Sequence, residues 1–180
     1  IFAGIGDWYV IQTPNDFVGM VSKKYVKLIY PTAGETDTNQ DITNSEQTEN
    51  SNGLTQDEQE VFDLINAKRA EAGLAALKID SEVQNVARVK AKDMVDNNYF
   101  SHNSQTYGSP FEMIKNYGIT YKAAGENIAG NSSNSGAVNA WMNSSGHKAN
   151  ILNSSFNYTG IGVVSSPKYG KIYVQMFIGK

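Results

Sequence analysis

Cysteine is absent from the 180 residues, and histidine is scarce, with two residues in the whole chain. Without a thiol there is no disulfide, no thiolate metal ligand and no cysteine nucleophile. The lack of disulfides leaves the compartment open, because an adequate core makes staples unnecessary. At 40% hydrophobic residues, a chain of this length can bury such a core. No apolar run approaches the ~18 residues of a membrane span, and the first residues lack a basic-then-apolar leader pattern. The chain is expected to begin mid-protein or after processing, so that absence says nothing about secretion. The net charge is −3. Glu35, Asp37, Asp41, Glu46 and Glu49 all fall in residues 31–53, which hold no Lys or Arg, so the remainder is slightly positive. That is not basic enough to argue for nucleic acid.

Three regions follow from composition. In residues 1–30, Trp8 and Val10, then Phe17 and Val21, alternate around the turn cluster Thr13-Pro14-Asn15-Asp16, which predicts a β-hairpin. A hairpin is marginal alone in water, so this fragment is expected to end a larger small barrel or to pack on its neighbour. Residues 31–53 carry no aromatic residue and only Ile42 as a large aliphatic, and they read as a flexible acidic linker. Residues 54–180 form the main domain. No internal repeat stands out.

Thr55 and Glu58 have the spacing of a capping box, with Leu54 as a staple, and Val61, Phe62, Leu64 and Ile65 follow at helical spacing up to a left-handed cap at Gly73. A second helix starts at Asp80 or Ser81, carries Val83, Val86, Ala87 and Met94, and ends near Asn97-Asn98. Ser109-Pro110-Phe111-Glu112 opens a short third helix ending at Asn116-Tyr117-Gly118. Tyr121 to Ala129 reads as extended, and Asn131 to Ser135 as a polar loop. Ser135 is the expected cap of a helix through Trp141, and Ser144 or Ser145 the cap of a further turn carrying His147. Tyr158–Val164 and Lys171–Ile178 alternate on either side of a multi-residue turn and predict a hairpin. Helices on both sides of a small antiparallel sheet is the economical α+β architecture.

Both histidines lie beside a glycine-flanked glutamate motif: Phe100-Ser101-His102-Asn103, Gly125-Glu126-Asn127-Ile128-Ala129 and Gly146-His147-Lys148-Ala149-Asn150-Ile151-Leu152. Two imidazoles and a carboxylate are the ingredients of a metal site or of acid/base chemistry. The plainer alternative is that each imidazole is a hydrogen-bonded, satisfied polar group.

These runs, with Tyr99 and Trp141-Met142-Asn143-Ser144-Ser145 included, resemble the ordered signature motifs of the CAP superfamily (cysteine-rich secretory, antigen 5 and pathogenesis-related proteins). The likeness runs from about Leu54 to Lys180, and the bacterial secreted, SCP-like branch is the nearest. The resemblance implies a three-layer α-β-α sandwich, an extracellular or cell-wall location, and a cleft in which His102 and His147 bind a divalent metal, most often zinc. Residues 1–30 resemble the end of a bacterial Src-homology-3-like wall-associated module. The family's associations with lipid, with protein partners and, in some members, with proteolysis leave two readings. One is a binding domain for a cell-wall component or an extracellular protein or lipid ligand. The other is a zinc-assisted, peptidase-like hydrolase in which His102 and His147 hold the metal and Glu126 takes a proton from water.

Animal and plant members usually carry a second acid three positions after the tryptophan, where this chain has Ser144. Glu112 is the nearest candidate replacement, although its capping-box position supplies a structural reason for it. Glu126 could equally accept hydrogen bonds from the histidines and hold the cleft walls together. Asn127 is placed to bond the turn that presents Glu126, and Asn150 to pack beside His147. Trp141, Tyr99, Phe100 and Phe177 are expected in the core. Ser101, Ser144 and Ser145 adjoin histidines, but sequence neighbours point apart and no nucleophile elbow is present, so a serine hydrolase is disfavoured. Asn131, Asn143, Asn153 and Asn157 precede x-Ser/Thr and are read as polar loop residues rather than glycosylation sites.

Overall fold

The Thr55 hydroxyl accepts the Glu58 N–H and the Glu58 carboxylate accepts the Thr55 N–H, so the capping box starts helix α1 (Gln56–Glu71) where its spacing places it. The computed structural model describes residues 53–180 throughout. Before them it describes the strands β1 (Ala3–Ile5), β2 (Trp8–Gln12) and β3 (Val18–Ser22). The chain divides into two compact units, Ile1–Asn44 and Ser45–Lys180. In the first, β2 pairs antiparallel with both β1 and β3, Val10 lying opposite Ala3 on one side and Met20 on the other. The expected turn at 13–16 and the acidic segment 31–52 lie outside the described residues.

The second unit continues with β4 (Lys78–Ile79), α2 (Ser81–Asp96, capped by Asp80), α3 (Pro110–Asn116), β5 (Ala123–Asn131), α4 (Asn134–Asn143), α5 (Ser145–Ile151), β6 (Tyr158–Ser166) and β7 (Gly170–Gly179). The strand order is β4-β6-β7-β5. The β5–β7 and β6–β7 pairs are antiparallel, but β4 runs parallel to β6, so the sheet is mixed rather than purely antiparallel. Two boundaries also move. Asn131 belongs to β5, and Ser133 rather than Ser135 caps α4, because the Ser133 hydroxyl reaches the Gly136 N–H at 3.2 Å. Ser144 precedes α5 but makes no side-chain cap.

Alternation along the strands sorts side chains into two apolar layers. Ile161, Val163, Tyr173, Phe177 and Ala129 pack with α1, α4 and α5. Ile128, Ile172, Val174, Met176 and Ile178 pack with α2 and α3. The result is the three-layer α-β-α sandwich. Helix α2 lies directly on β6 because Gly160 and Gly162 present no side chain. A Cβ at either would come within 2.3 Å of the α2 backbone. Where short β4 ends, the Gln84 side-chain amide takes over as a pairing partner, donating to the Ile161 carbonyl and accepting its N–H. Asn66 brackets the Leu77 N–H and carbonyl in the same way.

Candidate functional site

Strand β5 is an edge strand, and the three motif residues gather around its open edge. Glu126 shares its strand face with Ala124 and Ile128, on the α2 side of the sheet, and its side chain is 1% exposed. His102 comes from the segment joining α2 to α3, and His147 from α5 on the opposite layer. The His102 ring is hydrogen-bonded through Nδ1 to Glu126 Oε1 at 2.7 Å while remaining 53% exposed. Glu126 Oε2 is buried without a hydrogen-bond partner among the described residues. His147 is half-buried.

Backbone and amide contacts join the two sides. The Asn127 amide donates to the His147 carbonyl at 3.1 Å, and the Asn150 amide donates to the Glu126 carbonyl at 3.2 Å and to Asn127 Oδ1 at 2.9 Å. Asn127 therefore ties a strand to helix α5, where a local turn contact was expected, because it sits within β5 and points to the α5 face. Asn150 does more than pack beside His147. The Trp141 indole N–H donates to the Ile128 carbonyl, so side chains of α4 and α5 cap the open edge of β5.

Burial pushes the Glu126 carboxyl up, and the His102 hydrogen bond and the Lys90 and His102 charges pull it part of the way back. Burial lowers His147, and the neighbouring charge of His102 adds to that, which favours the neutral form of its imidazole, the form that ligates metals. Trp141 and Phe177 are core residues as expected. Phe100 is not. It is 41% exposed, since it lies beyond the end of α2 and packs its ring on Tyr169 (5.4 Å between centroids). Glu112 is exposed at the start of α3 and closes the Ser109 capping box, accepting from the Ser109 N–H at 2.7 Å.

Two residues of the site escaped sequence reasoning. Lys90 and Asp93 are buried on α2 beneath the His102 segment, and Lys90 occupies a core position in the stripe Val83, Val86, Ala87, Ala91, Met94. A lysine in an apolar stripe was the available signal. Burial lowers the Lys90 ammonium, offset in part by Glu126 and Asp93. Burial acts to raise Asp93, but hydrogen bonds from Tyr99, Ser104, Thr106 and Asn97 outweigh it and hold the carboxyl below its usual value. A depressed carboxyl contributes stability that is complete above its unfolded value, about 3.9. That contribution is lost as the pH falls through the folded value. Amide exchange protection at 99–108 should therefore begin to drop only once the pH falls below about 4 in the native chain, and that step should be missing in Asp93→Asn.

An α-β-α sandwich with a His–Glu pair and a second histidine at the open edge of its sheet defines the protein class. The chain belongs to the cysteine-rich secretory protein (CAP) family, whose sequence model matches residues 62–177. It is of the bacterial SCP-like type. The uncharacterized Bacillus subtilis (strain 168) protein YkwD is 52% identical over 124 residues, covering 68% of this chain and 47% of its own. The 1.5 Å crystal structure of an extracellular SCP-domain protein from Bacillus anthracis aligns with a TM-score of 0.64 at 41% identity, over 69% of this chain and 40% of that one. An outer surface protein from Borrelia burgdorferi shares the fold at a TM-score of 0.64 and 24% identity, over 69% of this chain and 92% of that one. The match thus spans less than half the length of the two Bacillus proteins. No helix among the described residues is long and apolar enough to cross a membrane.

Proposed function

We propose that this chain is an extracellular or cell-envelope CAP-domain protein whose His102–Glu126–His147 cleft binds a divalent cation or small ligand and mediates an extracellular interaction. The observation that carries the reading is the His102–Glu126 bond. A carboxylate holding Nδ1 orients the exposed ring and leaves Nε2 available, which is the usual arrangement behind a metal-ligating histidine. His147, whose neutral form burial favours, would supply a second nitrogen. The similarity to an extracellular Bacillus anthracis protein supports the location. Residues 1–30, as a wall-targeting module on an acidic tether, would bring the cleft to a cell-wall component, protein or lipid.

The donor set bears on the choice between a binding site and a catalytic zinc. Catalytic zinc normally takes three protein ligands, and among the described residues no group of three or more His, Asp or Glu is placed to hold a metal ion. In the binding reading the two imidazoles would hold a cation, with zinc the first to test, that completes its coordination with water or with a bound partner. There Zn2+ would supply Lewis acidity, His102 and His147 would hold it, and Glu126 would fix the His102 ring. The alternative zinc-assisted hydrolase needs Glu126 as a base. The buried Oε2, with no hydrogen-bond partner among the described residues, favours it.

Zinc titration of chelator-stripped protein separates these readings. The binding reading expects stoichiometric uptake abolished by His102→Ala with His147→Ala, and weakened about tenfold by Glu126→Gln, the size of an outer-shell effect. Uptake unchanged in the double variant would sink it. Peptidase turnover abolished in Glu126→Gln, with zinc retained, would establish the hydrolase instead.

A further inference from the structure

We propose that Lys90 and Asp93 are the positioning residues of His102, a role that rests on the cleft reading above. They lie three apart on α2 and so share a helix face, and both are turned into the segment that carries the histidine. Lys90 Nζ donates to the His102 carbonyl at 2.7 Å and to the Tyr99 hydroxyl at 3.3 Å, with its ammonium 5.2 Å from the centre of the Tyr99 ring. The Asp93 carboxylate accepts from Tyr99, from Ser104 Oγ at 2.7 Å, from Thr106 Oγ1 at 3.1 Å and from Asn97 Nδ2 at 2.7 Å.

The segment's internal backbone pairing is the Ser104–Gly108 bridge, and the chain enters it through Asn98 in the left-handed region (φ 49°). Ser104 Oγ relays the Asp93 anchor onward, accepting the N–H groups of Thr106 and Tyr107. Residues 97–108 are therefore fixed from below by one buried cation at the His102 carbonyl and one buried anion flanking it on both sides. A leucine or methionine would fill the Lys90 site without the desolvation cost of a fully buried ammonium. What the ammonium adds is a fixed height and rotation for the His102 peptide. That places Nδ1 within reach of Glu126, whose carboxylate the Lys90 charge also stabilises.

The test uses the whole chain and needs no metal. With two histidines in the sequence, a long-range proton–nitrogen correlation spectrum shows two ring patterns, and His147→Ala assigns them. In the native protein His102 should show a protonated, hydrogen-bonded Nδ1. In Lys90→Met that signature should weaken, its ring proton exchanging about tenfold faster, as loss of one hydrogen bond allows, while the His147 pattern stays in place. Tyr99→Phe, which removes the hydroxyl joining Lys90 to Asp93, should shift the His102 pattern in the same direction and by less. An unchanged His102 pattern in folded Lys90→Met overturns the proposal. If that variant does not fold, an unchanged pattern in Tyr99→Phe does so. A role in stability alone would move both histidines together. Failure of the native protein to take up zinc would remove the cation reading and leave this assignment intact. Zinc uptake with an unmoved His102 ring would do the reverse.

Discussion

Gly162→Ala should lower the melting temperature by about 10 °C or more, at or beyond the upper end of the ~1–3 kcal/mol that overpacking costs. The added methyl would sit 2.3 Å from the Ala87 carbonyl oxygen and 2.7 Å from the Arg88 nitrogen. Both are helix backbone, so no side chain can swing away to make room. Relief requires α2 to lift off β6, and the lift would break the Gln84 amide pairing with Ile161 between Gly160 and Gly162. Gly160 meets Val83 and Gln84 in the same way. Gly146→Ala is the control. It has open space around its Cβ direction and lies in α5, so helix propensity alone applies and the change should be neutral or stabilising by about 0.5 kcal/mol. Thermal melts of the native protein and both variants decide the matter, and a Gly162→Ala melt within a few degrees of native would show that α2 is not seated as described.

Arg69→Met is the second large effect, expected to cost about 3–5 kcal/mol in denaturant unfolding. Arg69 is 2% exposed and its guanidinium donates to the carbonyls of Ala75 (2.9 Å), Ile151 (2.8 Å), Asn153 (2.9 Å) and Phe156 (3.3 Å). Methionine fills similar space and satisfies none of those oxygens. The Ile151 carbonyl closes α5, the helix that carries His147, so the change should also speed amide exchange across 145–156 before it affects α2. Arg69→Lys should recover little, because an ammonium is a single donor centre and cannot span acceptors arrayed around a planar fork. A loss below about 1 kcal/mol would mean that water replaces the guanidinium at little cost.

Neither effect was visible beforehand, and the reason is the same in both. Arg69 stands in the last turn of α1, where a basic residue has the ordinary task of complementing the helix end. Only the return of residues 151–156 to that spot makes it a buried clamp. Gly160 and Gly162 read as neutral members of an alternating strand until α2 is laid across them. The exposed Phe100 is the converse case: its aromatic character argued for the core, but the chain had already passed the end of α2 and left the ring on the surface against Tyr169.

From the sequence alone came the elements whose signals are local. Capping boxes at Thr55–Glu58 and Ser109–Glu112, the left-handed Gly73 and the alternation of β6 and β7 depend on contacts within a few residues, and each was found where it was read. The family, the sandwich and the short list of His102, Glu126 and His147 came from ordered motifs. Tertiary structure alone decided which groups meet. It bonded His102 to Glu126 across 24 residues and tied Asn127 to the His147 carbonyl. It also turned Lys90 and Asp93 from an amphipathic helix into the supports of the His102 segment. Those pairings rest on desolvation and on donor geometry between elements distant in the chain, and no periodicity within one element encodes them.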